Sequence, residues 1–463
     1  MIDSHCHLEM DAFDRDRDDV IRRAREAGLE AVITIGSDFE GCRGAVELSR
    51  RYDFVYAAVG IHPHDAKDFN DDIFRQIREW TTGNDAGCTE DAGPPPKVVA
   101  LGEIGLDYHY DHSPREVQRE VFARQLAYAV ENGLAVVIHS REARDDTLAI
   151  VEQSGVTRGV MHCYSGDPDM AKRLMDRGLL ISIAGPVTYK NASRLRDLVK
   201  MIPDDFLLIE TDAPYLTPDP LRGKRNEPAY IVHTARRIAE LRGISPDDLD
   251  RITTLNAKKL FGIGGMPESE IAYQIRDSLY LNVTNRCTNA CGFCVRFYSD
   301  YVKGHNLRLR RDPSADELIA AIGDPGRYRQ VVFCGLGEPL LRLETVKEVA
   351  AWIKSRGGAV RINTNGHGAV IHKRNILPEL QGLVDAVSVS LNAQDAETYN
   401  RICKPAFTGA YDEVLRFIRE AKVYIPDVQA TVVDADGVDV GACRRIADNL
   451  GVPLRVRSLD VVG

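Results

Sequence analysis

Two histidines near the start of the chain, His5 and His7, are the first residues whose type and spacing suggest chemistry. In an extended chain, side chains two positions apart point to the same face, so both imidazoles can reach one point. Four further residues of metal-ligating type lie in the first half of the chain: Glu103, His139, His162 and Asp212. Imidazole and carboxylate ligands suit divalent ions such as Zn²⁺, Mn²⁺ or Mg²⁺. The pattern predicts a centre for a pair of divalent ions, assembled from distant parts of the chain.

These six residues fall at or near the carboxyl ends of predicted strands. Short apolar runs that alternate with amphipathic helical patterns predict eight strands, at 1–5, 31–36, 55–60, 98–103, 135–139, 159–164, 179–184 and 206–211. This alternation is typical of an α/β fold and predicts a closed parallel (β/α)8 TIM barrel, with an open doubly wound sheet as the alternative. The carboxyl ends of barrel strands meet at one mouth, where we expect the six residues to converge.

A second group of reactive side chains lies in the other half, where Cys287, Cys291 and Cys294 form a C-x₃-C-x₂-C motif. A structural zinc site usually needs four protein ligands, and the nearest candidates for a fourth are His305 and, through folding, Cys334. Three cysteines with one vacant position suit a [4Fe–4S] cluster whose fourth iron accepts an external ligand. The spacing favours the cluster over zinc.

The elements around the cysteines predict a second, smaller α/β domain. Strands are predicted at 279–284, 330–334, 359–363, 386–391, 428–433 and 454–458, with helical patterns between them. Six strand–helix units predict an open, partial (β/α)6 barrel. A segment rich in glycine and proline marks the boundary, so we predict a first domain at 1–265, a linker at 266–277 and a second domain at 278–463.

Charge differs between the two halves of this chain of 463 residues and net charge −10. Residues 1–265 carry 34 Lys and Arg against 45 Asp and Glu, a net of −11, and the remainder is close to neutral. The acidity argues against a protein that holds nucleic acid by bulk electrostatics. The chain contains no apolar run long enough for a membrane span and no signal-peptide pattern at its start, so we expect a cytoplasmic protein without a membrane partner.

Seven segments of the first half resemble the TatD family of metal-dependent deoxyribonucleases: DSHCHL, GIHPH, GEIGLDYH, VIHSREA, HCYSG, IETDAPYL and RGKRNEP. The resemblance implies a two-metal hydrolase that cleaves phosphodiester bonds of DNA. It places His5, His7, Glu103 and Asp212 on one ion and Glu103, His139 and His162 on the other. Glu103 would bridge the ions, and Asp212 would orient or deprotonate the attacking water.

Further residues of the same segments are candidates for substrate contact. His62 and His64 in GIHPH could bind a substrate phosphate or only shape their loop. Arg222, Lys224 and Arg225 in LRGKRNEP are the best local cations for a phosphate. Metal ions would supply most of the positive charge, so we expect weak, salt-dependent binding of DNA or another phosphodiester.

The second half resembles the radical S-adenosylmethionine (SAM) superfamily, through the cysteine motif, the CGLGEPL and RINTNG segments and the serine-bearing segment VSVSLNA. The resemblance implies that Cys287, Cys291 and Cys294 hold a [4Fe–4S] cluster whose fourth iron is chelated by SAM. Residues implied near SAM are Phe293, Gly335, Gly337, Glu338, Ser390 and Asn392, with Asn363 and Asn365 as further candidates. An external one-electron donor would reduce the cluster, and the resulting 5′-deoxyadenosyl radical would act on an unknown substrate.

Both resemblances together predict a bifunctional enzyme that fuses a phosphodiester hydrolase to a radical SAM enzyme. Two alternatives stay open at this point. In one, the barrel hydrolyses an amide or ester bond in the product of the radical enzyme. In the other, one half is a non-catalytic scaffold for its neighbour, which missing ligands would indicate; every ligand implied by the two resemblances is present.

Overall fold

Eight parallel strands form the centre of the first half of the chain, in the order β1 to β8. The computed structural model describes residues 1–83 and 94–458, and the chain divides into two units, Met1–Met266 and Pro267–Gly463. The strands of the first unit are β1 Ile2–Cys6, β2 Ala31–Gly36, β3 Val55–Val59, β4 Val98–Asp107, β5 Ala135–Arg141, β6 Gly159–Met161, β7 Leu179–Ile183 and β8 Leu207–Ile209. Its helices are α1 Arg17–Glu26, α2 Phe39–Arg51, α3 Asp71–Thr82, α4 Arg115–Glu131, α5 Arg144–Ser154, α6 Pro168–Met175, α7 Ser193–Met201, α8 Ile231–Arg242 and α9 Pro246–Phe261.

The sheet nearly closes on itself, which confirms the predicted barrel, and the open doubly wound alternative is wrong. Beyond β8, the amide of Asp212 donates to the carbonyl of His5 at 2.9 Å, and the amide of His7 donates to the carbonyl of Ala213 at 2.7 Å. The chain after the last strand therefore pairs with the end of the first. This pairing brings His5 and His7, at the end of β1, beside Asp212.

A close approach between β4 and β5 sets the position of two more candidate ligands. Gly105 pairs with His139 in the parallel ladder. A Cβ atom at Gly105 would lie 1.9 Å from the carbonyl oxygen of His139, and the φ angle of +148° is one that side chains rarely adopt. Only glycine fits this position, and it allows the strand that carries Glu103 to lie directly against the strand that carries His139.

A seven-stranded sheet forms the second unit, in the order β17–β16–β15–β14–β13–β10–β9, and a separate two-stranded sheet pairs β11 with β12. The strands are β9 Ala272–Ile275, β10 Ser278–Asn282, β11 Tyr301–Val302, β12 His305–Asn306, β13 Gln330–Cys334, β14 Val360–Thr364, β15 Ala386–Ser390, β16 Asp427–Asp434 and β17 Leu454–Ser458. The helices are α10 Ala315–Ile322, α11 Leu343–Ser355, α12 Gly368–His372, α13 Leu377–Leu380, α14 Ala396–Cys403, α15 Ala410–Tyr424 and α16 Val440–Leu450.

The six strands predicted for the second domain are all present and parallel, as a partial barrel requires. The sheet also contains a strand that we did not predict. β9 lies inside the segment 266–277 that was predicted as a linker, and it pairs antiparallel with β10. The strand has a short alternating pattern, in which Tyr273 is buried and Gln274 is exposed. This pattern directly follows a segment rich in glycine and proline, which by itself indicates a linker.

The two faces of this sheet differ in polarity. One face packs on the helices through apolar side chains such as Phe333, Ile362 and Val389, which belong to the buried core of the second unit. Successive side chains of a strand alternate between faces, so Cys334, Asn363 and Ser390 lie on the opposite face. The polar residues implied near a cofactor therefore lie on the face away from the helices.

Among the helices of residues 1–83 and 94–458, none is both long and apolar enough to span a bilayer.

Candidate functional site

Four candidate ligands converge at the carboxyl ends of β1, β4 and β8. The Nε2 atoms of His5 and His7 are 3.2 Å apart. Asp212 Oδ1 lies 3.6 Å from His5 Nε2 and 3.5 Å from His7 Nε2. Glu103 Oε2 lies 3.5 Å and 3.9 Å from the same two nitrogens. Donor atoms that bind one ion at about 2.0–2.2 Å are themselves roughly 3–4 Å apart, so this group, here called set 1, has the spacing of a metal site.

The other oxygen of Glu103 belongs to a second group of donors, here called set 2. Glu103 Oε1 lies 2.9 Å from His139 Nδ1 and 2.7 Å from His162 Nε2. These two nitrogens are 3.2 Å apart. His62 Nε2 lies 3.6 Å from the same oxygen, and its ring can join Glu103 and His139 around one ion. Glu103 therefore presents one carboxylate oxygen to each set.

Hydrogen bonds outside the two sets fix the tautomer of each neutral ring. His7 Nδ1 lies 2.8 Å from the carbonyl oxygen of Ile35, which can only accept, so in the neutral ring His7 Nε2 presents a lone pair to set 1. His139 Nε2 lies 3.2 Å from Asp107 Oδ2, so in the neutral ring His139 Nδ1 presents a lone pair to Glu103. Burial opposes a charged ring, but hydrogen bonds to carboxylates raise the pKa of both histidines, so the site favours positive charge at these positions, as a second ring proton or as a bound cation. The donor atoms therefore fit divalent cations.

Glu210 is a residue of this site that the sequence reasoning missed. Its buried carboxylate accepts a 2.6 Å hydrogen bond from the amide of Cys163, and Glu210 Oε1 lies 3.5 Å from His162 Nδ1. Together with His5 and His162, it forms another group of donor atoms close enough to share an ion. The signal that could have found it is its place in the sequence, because Glu210 directly follows β8 and lies two positions before Asp212.

Asp107 is the second missed residue, and it lies beside set 2. Its Oδ2 atom is 3.2 Å from His139 Nε2 and 3.0 Å from His64 Nε2. Burial opposes ionisation of this carboxyl, but the hydrogen bonds from His139, the Tyr110 amide and His64 lower its pKa. A carboxylate that orients an imidazole in this way would strengthen a metal site formed by that ring. Its even spacing from Glu103 along β4 was the available signal.

The residues predicted to contact substrate occupy different environments. His62 is buried beside set 2, whereas His64 is bound to Asp107 and partly exposed. Arg225 is engaged within the protein, because its guanidinium donates to the Asp16 carboxylate and to the Ala12 carbonyl oxygen.

Two other cations of the same loop are exposed, as Arg225 is, without its ion pair to Asp16. The guanidinium of Arg222 lies 4.2 Å from the centre of the Tyr189 ring, and Lys224 is exposed in the sequence-adjacent turn. These two side chains, rather than Arg225, are available to a ligand.

The three cysteines of the second unit lie on one loop after β10, and each is partly buried. This cysteine loop rests on the end of α14. The amide of Ala290 donates to the carbonyl of Cys403 at 3.0 Å, the amide of Gly292 donates to the carbonyl of Ile402 at 2.9 Å, and the amide of Ala406 donates to the carbonyl of Thr288 at 2.9 Å. The RICKP segment therefore holds the loop in place.

Two glycines after β13 allow the next segment to lie against the start of the cysteine loop. A Cβ atom at Gly335 would lie 2.4 Å from Asn282 Oδ1, and one at Gly337 would lie 2.2 Å from the carbonyl oxygen of Arg286. The amide of Glu338 donates to that same carbonyl at 2.8 Å. The CGLGEPL segment thus packs backbone against backbone beside the cysteines.

The carboxylate of Glu338 is used within the protein. It accepts hydrogen bonds from the Leu340 amide at 3.0 Å, the Thr364 hydroxyl at 2.8 Å and the Asn365 amide at 2.7 Å. Burial raises the pKa of Glu338 to about 7. The side chain therefore holds two loops together, while its backbone amide contacts the start of the cysteine loop.

The asparagines and the serine implied near SAM lie at or just beyond the carboxyl ends of their strands, whereas Phe293 lies within the cysteine loop. Asn363 Nδ2 is 3.7 Å from Cys334 Sγ, and Asn365 Nδ2 is 3.7 Å from Cys287 Sγ. Asn392 has a left-handed backbone, and its buried Oδ1 makes no hydrogen bond within the described residues. Ser390 and Phe293 are partly buried. The unpaired Asn392 oxygen and the glycine-lined backbone fit a polar cofactor.

Two models of known protein families match this chain, one in each unit. Residues 2–262 match the model of TatD-related DNases, and residues 281–440 match the model of the radical SAM superfamily.

Relatives cover the first unit almost completely. An uncharacterized metal-dependent hydrolase of Bacillus subtilis, YabD, is 42% identical over 265 residues, which are 57% of this chain and 99% of that protein. The 3′–5′ ssDNA/RNA exonuclease TatD of Salmonella typhimurium is 35% identical over 270 residues, again 57% of this chain and 99% of that protein. A crystal structure of the TatD homologue YjjV of Escherichia coli K12 is 30% identical, with a TM-score of 0.52, and covers 57% of this chain and 98% of that one.

Proposed function

Because the chain belongs to the family of TatD-related DNases and carries a radical SAM domain, we propose that it is a bifunctional enzyme with a two-metal phosphodiesterase site and a separate radical site. The observation that carries the first part is the Glu103 carboxylate, which gives one oxygen to each of two donor sets. A single carboxylate shared in this way suits two adjacent ions.

The residues of the first unit divide the work of hydrolysis among them. Two bound divalent ions would polarise the phosphodiester and lower the pKa of a water molecule. Asp212 would accept the proton of the attacking water at its carboxylate, beside His5 and His7. Asp107 and Glu210 would orient His139 and His162 from behind. Arg222 and Lys224, which are exposed, would guide the phosphate backbone of the substrate.

Single-stranded DNA and RNA are the first substrates to test, because the Salmonella relative is an exonuclease of these molecules. Replacing Asp212 with asparagine is expected to reduce cleavage at least about 100-fold, the usual effect of losing a general base. Asparagine adopts the left-handed backbone of this position, where φ is 56°, as readily as aspartate, so the variant should fold normally. Cleavage of labelled single-stranded DNA and RNA is measured in the presence of Mn²⁺ or Mg²⁺, and double-stranded DNA is tested for comparison.

Asp176→Asn, an exposed change at the end of α6, provides the matched control and should leave cleavage unchanged. If wild type and Asp212→Asn cleave nucleic acid equally slowly, the phosphodiesterase proposal is wrong. If wild type then hydrolyses amide or ester substrates and Asp212→Asn does not, the barrel is a hydrolase of those bonds and not of phosphodiesters.

The cysteine loop of the second unit supports the radical function. We propose that Cys287, Cys291 and Cys294 ligate a [4Fe–4S] cluster, with the backbone of Gly335 and Gly337 forming the adjacent wall for SAM. The cluster and SAM would supply a 5′-deoxyadenosyl radical once an external donor provides one electron. The chain itself would hold these groups close together and shield them from water.

Anaerobic reconstitution tests this function directly. Wild type is expected to bind about four irons per chain and to release 5′-deoxyadenosine from SAM after reduction. Cys294→Ala should lose both properties, whereas Cys443→Ala, which alters a buried cysteine of α16, should keep them. Equal iron content in these two variants would contradict the assignment of the loop.

A further inference from the structure

A network of buried polar side chains lies directly behind the cysteine loop. It consists of Asn289, Tyr399, His367, Thr288 and Asn365, and we call it the His367 network. Tyr399 and His367 are fully buried, and the Tyr399 hydroxyl is 3.1 Å from both Asn289 Nδ2 and His367 Nε2. His367 Nδ1 is 2.9 Å from Thr288 Oγ1, which in turn accepts from Asn365 Nδ2 at 2.8 Å. The network thus joins the cysteine loop to α14 and to the end of β14.

The backbone N–H and the side-chain amide of Asn365 are both held by hydrogen bonds, which determine where its side-chain nitrogen points. Its backbone amide donates to Glu338 Oε2 at 2.7 Å. Its side-chain oxygen accepts from the amide of His367 at 3.1 Å, so the side-chain nitrogen must face the other way. That nitrogen lies 2.8 Å from Thr288 Oγ1 and 3.7 Å from Cys287 Sγ. One N–H bond of Asn365 is engaged by Thr288, and the second is directed toward the sulfur.

Cys287 therefore has two N–H donors near its sulfur atom. Besides Asn365, the amide of Asn289 lies 3.4 Å from Cys287 Sγ. The Asn289 donor is a backbone N–H, whose position is fixed by the loop backbone. The Asn365 donor is a side-chain N–H, whose orientation depends on the hydrogen bonds with Thr288 and His367. A thiolate that accepts hydrogen bonds donates less electron density to iron, which stabilises the reduced, more negative cluster.

From this geometry we propose that Asn365 donates an N–H···S hydrogen bond to the Cys287 thiolate and thereby raises the reduction potential of the cluster, and that the His367 network positions it for this role. The inference rests on the proposed cluster at Cys287, Cys291 and Cys294. It also gives Asn365 a role different from contact with SAM, because its side chain is already engaged within the protein. No atom is transferred, since the donor changes only the stability of the reduced state.

The reduction potential of the reconstituted full-length protein tests this proposal. Asn365→Leu, which keeps the size of the side chain but removes the amide, is expected to retain its iron. At a fixed solution potential, the ratio of reduced to oxidised cluster should fall about tenfold, which for a one-electron couple corresponds to 59 mV. The ratio is measured from the electron paramagnetic resonance signal of the reduced cluster during a redox titration.

A matched pair at Thr288 tests the positioning role without touching a cysteine. Thr288→Val removes the hydroxyl that orients Asn365 and should lower the reduction potential, as Asn365→Leu does. Thr288→Ser keeps the hydroxyl and should have the reduction potential of wild type. Tyr399→Phe should shift the potential partially. Tyr411→Phe, which removes a neighbouring buried hydroxyl bound to the Ala393 carbonyl, should leave it unchanged.

The outcomes separate this inference from the function on which it rests. If wild type binds no cluster, the radical function fails and the inference fails with it. If wild type binds its cluster and Asn365→Leu titrates at the same potential with full iron, the radical function stands and the Asn365 role is wrong. If Asn365→Leu loses its iron, the comparison of Thr288→Val with Thr288→Ser decides, and equal potentials in that pair would overturn the proposal.

Discussion

Replacing Glu103 with glutamine is expected to empty both metal sets at once and to abolish hydrolysis. The neutral amide has one oxygen and one nitrogen, so it cannot give a negative oxygen to each set as the two carboxylate oxygens do. Metal ions contribute several kcal/mol to the stability of the transition state. A loss of about 4 kcal/mol corresponds to a rate reduction of roughly 1000-fold. Metal content is measured by mass spectrometry after gel filtration. Hydrolysis is measured with single-stranded DNA as the substrate.

Glu210→Gln is the matched control for this change, because Glu210 is another buried glutamate at the same barrel mouth. It accepts from the Cys163 amide and faces the outer nitrogen of His162. Changes to residues that orient a ligand typically cost 10–100-fold in affinity or activity, so the control should retain most of its metal at high concentration. If the two variants lose metal and activity to the same extent, Glu103 has no special bridging role.

Replacing Gly105 with alanine is expected to destabilise the first unit by about 4 kcal/mol, from backbone strain and steric overlap together. The new methyl group would lie 1.9 Å from the carbonyl oxygen of His139. Relief of that overlap must separate β4 from β5 and thereby move Glu103 away from His139. For a domain of this size, the loss corresponds to a fall in Tm of roughly 10 °C, which calorimetry of the full chain can measure.

Gly133→Ala separates the effect of the overlap from that of the backbone alone. Gly133 also has a positive φ angle, +64°, but a Cβ atom there meets nothing within 4 Å. The left-handed backbone costs an alanine only about 1–2 kcal/mol. The control should therefore melt a few degrees below wild type and keep its metal. A Tm for Gly105→Ala equal to that of the control would contradict the close approach of β4 and β5.

The strands of the barrel, and the convergence of the candidate ligands at one end of it, could be predicted from the sequence because each depends on a local pattern. The spacing of His5 and His7 places both on one side of the chain at the end of β1, and apolar runs mark strands buried on both sides. Strand ends proved less predictable. β4 extends to Asp107, beyond its predicted end at Glu103, because the polar residues Glu103 and Asp107 face inward and not toward solvent.

Contacts between distant segments could not be predicted in the same way. The sequence shows Arg225 only as a cation in a basic cluster, whereas the structure pairs it with Asp16, more than two hundred residues earlier. Glu338 is similar, since its sequence motif does not reveal that three donors engage its carboxylate. Both side chains take partners that only the folded chain brings near.

The division of one carboxylate between two donor sets has a thermodynamic consequence. An ion in set 1 would fix the rotamer and share the charge of Glu103, and both changes would alter the free energy of binding an ion in set 2. The two affinities would therefore be linked, and by reciprocity each ion would change the affinity of the other by the same factor. For the proposed two-metal enzyme, a metal titration should accordingly depart from the curve of two independent sites, and the occupancy of the pair, rather than of either ion, would set the fraction of active enzyme.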